Sequence, residues 1–172
     1  MAAGSTYTPI ATTTVSGGST SEVEFASISG SYTDLIIVGN LGAATNSYAG
    51  ARFNSDTGSN YSVTNLSGNG TTALSNRASS RSIADLSFEV SQGSTIQANF
   101  ITQIMNYSNS TTYKTVLTRT NNAGTGTSAT VVLWRSTSAI TNIKLYTHTG
   151  GGANLYNFTS GSTFTLYGIA SA

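Results

Sequence analysis

His148 is the only histidine in the chain, so any serine–histidine–carboxylate relay must run through it, with Asp34, Asp56 or Asp85 orienting the ring. Serines are plentiful at 27 of 172 residues, but none stands in the Gly-x-Ser-x-Gly turn that lifts a nucleophile clear of its strand. His148 lies beside Gly150-Gly151-Gly152, a context that favours a solvent-exposed loop over a catalytic base. Glycoside hydrolysis needs two carboxyls facing each other across a cleft. The chain has six acids, and the nearest pair, Glu22 and Glu24, shares one strand face, where surface solvation is the better account. Asp85 and Glu89 could add a carboxyl from another strand, but nothing in their spacing brings them to the first pair.

Metal chemistry is equally thin. There is no cysteine, hence no thiolate site, no disulfide framework and no thiol nucleophile. Asn54-Ser55-Asp56-Thr57-Gly58-Ser59-Asn60 places side-chain oxygens at alternate positions, as a calcium loop does. Asn65 stands where such a loop needs a bidentate glutamate, so a hairpin turn is the favoured reading. Any ion held there would be calcium-like and structural. The residue types therefore predict no catalytic residue, no metal and no cofactor.

The elements that would position these residues are strands. Ser, Thr, Gly and Asn supply 89 of the 172 positions, while charged residues make up only 8 %, against roughly 25 % in an ordinary soluble domain. Hydrophobic residues still reach 38 %, which is enough for a folded core and too apolar for a mucin-like stalk or a linker. The length suits one domain over residues 1–172. Seven scattered cations and a net charge of +1 create no field for phosphate backbones or anionic lipid. The start of the chain has no charged leader or apolar core, and Leu35–Val38 is far shorter than a membrane span. Nucleic acid and membrane are thus excluded as expected partners.

Apolar residues recur with period two between Gly, Asn and Ser breakers. Glu22–Ile28 alternates as a half-buried strand. Asp34–Val38 is a continuous apolar run that fits a strand covered on both faces. Further strands are predicted over Tyr7–Val15, Tyr48–Asn54, Tyr61–Leu66, Ser82–Val90, Ile96–Tyr107, Tyr113–Thr120, Thr127–Ser136, Ile140–Tyr146 and Ser162–Ile169. About eleven short strands at irregular spacing predict an all-β, jelly-roll-like antiparallel sandwich. Gly4-Ser5-Thr6-Tyr7-Thr8 echoes Gly161-Ser162-Thr163-Phe164-Thr165. Shared composition explains the echo most simply, and side-by-side pairing of the first and last strands is the sharper reading. Trp134, in Val131-Val132-Leu133-Trp134, is expected in the core. Six Asn-x-Ser/Thr triplets are what chance supplies in so Ser- and Thr-rich a chain.

The block Arg52-Phe53-Asn54-Ser55-Asp56-Thr57-Gly58-Ser59-Asn60-Tyr61-Ser62 resembles one in small β-rich virion proteins of tailed bacteriophages, including phages of aquatic bacteria. Ser31-Tyr32-Thr33-Asp34-Leu35, Ile104-Met105-Asn106-Tyr107-Ser108, Thr112-Tyr113-Lys114-Thr115-Val116-Leu117 and Gly161-Ser162-Thr163-Phe164-Thr165-Leu166-Tyr167-Gly168-Ile169 resemble the same group. The likeness covers nearly the whole chain, from about Tyr7 to Ile169, and its motifs are structural. It implies a non-enzymatic component displayed on the virion and made in the host cytoplasm. Such a protein decorates or cements the capsid, or forms part of a tail fibre or appendage that binds a host receptor or glycan. Without a heptad segment or a separate anchoring domain, capsid decoration is favoured. The implied partners are other virion proteins and further copies of the chain, a trimer among the options. If one segment anchors such a protein, the extended stretch Ala3–Ile10 is the expected one, because Pro9 suits an edge strand, with Tyr7, Pro9 and Ile10 as contacts. For an adhesin tip, Tyr48, Tyr61, Tyr107 and Tyr156 are the candidates to stack on sugar rings.

Overall fold

The computed structural model describes residues 6–149 and 151–170; residues 3–5 of the expected anchoring segment lie outside them. In chain order the strands are β1 (Tyr7–Thr14), β2 (Val23–Phe25), β3 (Asp34–Leu41), β4 (Tyr48–Phe53), β5 (Tyr61–Gly68), β6 (Ala73–Arg81), β7 (Ala84–Asp85), β8 (Ala98–Met105), β9 (Lys114–Asn122), β10 (Gly126–Trp134), β11 (Ile143–Thr149), β12 (Asn154–Tyr156) and β13 (Thr163–Ile169). No helix occurs among the described residues. The larger sheet runs β1-β13-β3-β8-β9-β10-β5-β6, and the smaller runs β12-β11-β4-β7 with β2 beside β11. Every pairing is antiparallel. The fold is an all-β sandwich, with thirteen described strands where the sequence predicts about eleven.

Alternation along the large sheet decides which side chains meet the small one. On β8 the inward positions are Phe100, Thr102 and Ile104, and on β13 they are Phe164 and Leu166. Phe25, Phe53, Ala51, Ile143 and Leu145 face them from the smaller sheet, and one hydrophobic cluster joins both layers. The apolar run on β3 departs from its expected burial on both faces. Leu35 and Ile37 are fully enclosed, but Val38 is 41 % exposed on the other side of the pleat. Only one layer covers the large sheet, so Val38 stays at the surface, although Ile36 on the same face is shielded by its neighbours.

The first and last strands do lie side by side, from Tyr7 opposite Ile169 to Thr14 opposite Thr163. Because the pair is antiparallel, the two echoing segments sit at opposite ends of the ladder. β1 covers the edge of β13 and is itself the sheet edge. The ladder shifts register between Pro9 and Ala11, as suits a strand whose proline has no N–H to donate.

Two strands have no period-two signal in the sequence. β6 is exposed or half-exposed throughout, and the turn before it creates it: Asn69 Oδ1 accepts from the N–H groups of Thr71 at 3.0 Å and Thr72 at 2.8 Å. β12 is three residues long, formed as the chain returns from the turn after β11. Conversely, the strand predicted over Ser82–Val90 reduces to Ala84–Asp85. Beyond it, side chains take over from ladder partners: the Ala49 N–H donates to Ser87 Oγ at 2.6 Å and Thr120 Oγ1 donates to the Leu86 carbonyl at 2.9 Å.

The 54–60 segment is not a hairpin. It carries the chain from β4 in the small sheet to β5 in the large one. Asn54 and Ser55 both take positive φ, 51° and 56°. The Asn54 side chain holds the corner in place, with Nδ2 donating to the Ala139 carbonyl at 2.7 Å and Oδ1 accepting from the Thr141 N–H at 2.9 Å. Asp56 closes the crossing by accepting from Trp134 Nε1 at 2.7 Å, Asn60 Nδ2 at 2.9 Å and the Gly58 N–H at 2.8 Å. Trp134 is buried as expected, with Tyr61 stacked at 6.4 Å and Phe53 edge-on at 5.6 Å between centroids.

Burial pulls the Asp56 pKa up, but the hydrogen bonds from Trp134, Asn60 and Gly58 outweigh it and hold the carboxyl below its ordinary value. A carboxyl with a lower pKa folded than unfolded adds stability above the unfolded value, about 3.9, and loses it as pH falls through the folded one. Thermal unfolding followed by circular dichroism should show Asp56→Ala costing about 1–3 kcal/mol at neutral pH, since it orphans the buried indole N–H. The gap between variant and wild type should narrow below about pH 4. A gap independent of pH would refute this role for the carboxylate.

Candidate interaction surface

His148 is on strand β11 and fully buried, which overturns the exposed-loop expectation drawn from the glycines after it. Of the three aspartates considered for it, the fold delivers Asp85. His148 Nε2 lies 2.9 Å from Asp85 Oδ1, and Arg81 Nε donates to Asp85 Oδ2 at 3.0 Å. The histidine contact is close without the alignment of a full hydrogen bond, and Nδ1 has no partner. Glycines make the space. A Cβ on Gly50 would stand 2.6 Å from His148 Cδ2, and one on Gly151, at φ +71°, would stand 2.3 Å from the Arg81 guanidinium. The Gly-rich turn is therefore a lid packed on Arg81. No serine hydroxyl is hydrogen-bonded to either ring nitrogen among the described residues, and the dyad is sealed beneath the sheet.

The remaining acids are dispersed. Glu22 accepts from Lys144 Nζ at 3.0 Å and from the Tyr146 hydroxyl at 3.1 Å. The Lys144 hydrogen bond holds the Glu22 carboxyl below its ordinary value against partial burial. Burial, helped by Glu22, pushes the Tyr146 phenol up. Glu24 is exposed and takes a hydrogen bond from Asn142. Asp34 accepts from Gln103 Nε2 at 3.0 Å and from the Asn106 N–H at 2.8 Å, and Asn76 Nδ2 donates to Glu89 at 3.2 Å. Among the described residues no three His, Cys, Asp or Glu side chains converge on one point.

The tyrosines proposed for sugar stacking divide. Tyr61 and Tyr107 are fully buried, so neither presents a ring to solvent. The Tyr61 hydroxyl accepts from the Phe53 N–H at 3.0 Å, and the Tyr107 hydroxyl donates to the Ser29 carbonyl; burial pushes both phenols up. Tyr48 and Tyr156 are half-buried on β4 and β12, with Tyr48 centred 6.3 Å from His148. Of the anchoring candidates, Ile10 packs against the core and Pro9 is exposed on the edge strand. Tyr7 is exposed and meets Tyr167 edge-on at 6.3 Å. The segment is thus a fixed edge of the sheet from Tyr7 onward.

The chemistry that sequence reasoning missed is spread across the outward face of the large sheet. The ladders align its side chains in rows perpendicular to the strands. One row reads Thr163, Asn40, Asn99, Asn121 and Thr127; Asn40 Nδ2 donates to Asn99 Oδ1 at 2.9 Å. The next reads Thr165, Val38, Ile101, Arg119, Ala129 and Leu66. The third reads Tyr167, Ile36, Gln103, Leu117, Val131 and Thr64. Two shallow troughs of about 500 and 630 Å³ run along these rows and share Val38, Ile101 and Arg119. The missed signal was present in the apolar outward residues of β3, β9 and β10; sequence reading assigned the β3 run to burial on both faces and gave β9 and β10 no outward role.

No protein-family model matches the chain, and no curated protein matches it.

Removing Asp85 would strand a half-buried guanidinium beside a fully buried imidazole, so Asp85→Ala should lower unfolding stability by about 2–4 kcal/mol. Glu22→Gln, which breaks only an exposed pair, should cost no more than about 1 kcal/mol. Urea midpoints of the two variants measure the contrast, and equal small losses would show that the buried cluster is not structural.

Proposed function

We propose that the chain is a non-catalytic structural protein displayed on a bacteriophage particle, decorating or cementing the capsid through many weak protein–protein contacts. The observation that carries this reading is the outward face of the eight-stranded sheet. It is broad, almost uncharged and apolar along its middle, with Leu66 at 62 % and Val131 at 42 % exposed. Isolated exposed hydrophobics are ordinary, but a cluster of them spread over two adjacent rows of one face marks a contact surface. Threonine and asparagine beside them can be buried at a wet contact without the desolvation penalty of an ion.

The resemblance of the segments around Arg52–Ser62 and Gly161–Ile169 to phage virion proteins supplies the setting. Symmetric repetition on a particle then turns small contact energies into firm attachment by avidity. The adhesin alternative is weakened at two of its four tyrosines, since Tyr61 and Tyr107 stand inside the core.

Gold-labelled antibody against the chain, applied to intact particles, should give an even shell over the capsid. Label at one vertex would place the protein on the tail instead, and particles without label would refute the virion reading.

A further inference from the structure

We propose that the outward face of the eight-stranded sheet is a homotypic interface, closed by a second copy of the same chain about a two-fold axis lying in the face near Gln103. This rests on the reading of the chain as a structural module and names the partner that its main contact surface takes.

Size is the first argument. The six strands from β13 to β5, each seven to nine residues long, span a rectangle of about 25 by 29 Å, on the order of 700 Å². A stable interface buries about 800 Å² of accessible surface per partner, so one copy laid on another fills this face. A small ligand in the 500 Å³ trough would leave Ala129 and Leu66 of that row in water.

Donor and acceptor chemistry is the second. Threonine, asparagine and glutamine each donate and accept, so a face built from them is complementary to itself. Carboxylates or ammonium groups would instead demand an oppositely charged partner.

Charge placement is the third, and it fixes the geometry. Between β13 and β5 the face carries one carboxylate, Asp34, and two guanidinium groups, Arg119 and Arg135, of which Arg135 is already bonded to Ser62 Oγ and the Ser59 carbonyl. Arg119 is exposed and has no ion pair or side-chain hydrogen bond among the described residues. Asp34 on β3 and Arg119 on β9 lie two strands and two rows apart, with Gln103 on β8 midway; this is roughly 16 Å. An in-plane two-fold axis through Gln103, along the bisector of that line, sets Arg119 of one copy over Asp34 of the other, twice. The strands of the copies then cross steeply, in the orthogonal class of sheet packing.

Sedimentation of the purified chain tests this. The wild type should sediment as a two-fold assembly at micromolar concentration. Val131→Asp and Arg119→Asp alter only outward side chains, so circular dichroism should stay native while the dissociation constant rises at least tenfold. Asp34→Arg should weaken pairing similarly, and Asp34→Arg combined with Arg119→Asp should recover most of it. Leu155→Asp, on the small sheet, should change nothing. A monomeric wild type, an odd-numbered assembly, or pairing indifferent to Val131→Asp and Arg119→Asp overturns the proposal. A chain that pairs this way yet is missing from labelled particles refutes the virion reading alone, and a chain that coats particles as a monomer refutes the pairing alone.

Discussion

A chain with so few charges must satisfy its buried polar atoms with neutral partners, and the inner face of the large sheet depends on that. Thr102 and Thr118 face each other across β8 and β9 with hydroxyls 2.5 Å apart, and Thr130 donates to Asn65 Oδ1 at 2.8 Å between β10 and β5. Thr120 reaches the Leu86 carbonyl, and Asn122 reaches the Ser91 carbonyl at 2.8 Å. These bonds reach from the pleat to a segment with almost no strand of its own, the stretch around β7. Each is worth about 1 kcal/mol net, but leaving the same group unpaired would cost about 1–3 kcal/mol. The irregular part of the second layer is thus held by hydroxyls and amides where an ordinary sandwich would use a further strand.

Among the described residues, carboxyl and basic side chains are buried in two places, and each has a different solution. Asp85 is held between Arg81 and His148, and the glycines at 50 and 151 exist where a side chain would collide with that group. Lys114 is 1 % exposed and has no carboxylate beside it. Its ammonium donates to the Thr112 and Thr137 carbonyls at 2.8 and 3.1 Å, and burial pushes its pKa down. The lysine ties the loop before β9 to the loop after β10, at the end of the sandwich opposite the Asn122 bond.

Strand positions were readable because period two is local physics, but which face is inward was not: β9 and β10 bury Lys114, Thr118 and Thr130 and expose Leu117 and Val131. What local pattern cannot carry is partnership. Asp56 read as a turn residue, and only the fold shows that its acceptors belong to Trp134, 78 positions away, making a sheet crossing from an apparent hairpin. His148 read as a loop residue because three glycines follow it, yet Gly151 and Gly152 pack inward against Arg81 and Ile83. Tyr61 and Tyr107 sit beside turns in sequence and are buried because their hydroxyls find backbone partners. β6 escaped notice for the opposite reason. Its residues are mostly small or polar with no apolar alternation, and the Asn69 turn and ladder to β5 define it.

The outward face links these observations. Val38, Leu117 and Val131 obey the alternation and still stand in water, so the chain spends apolar residues where a monomer gains little from them. An apolar side chain left out of the core contributes at most a small part of the roughly 1.5–3 kcal/mol that full burial provides. It becomes stabilising only when something covers it. The same strands that put neutral hydrogen-bonding groups inward put apolar and neutral groups outward. The sheet is thereby two-sided, with one face packed by folding and the other, on the pairing proposed above, covered by association. That division also accounts for the scarcity of Lys and Glu, because charges scattered over the outward face would oppose its covering by any neutral surface.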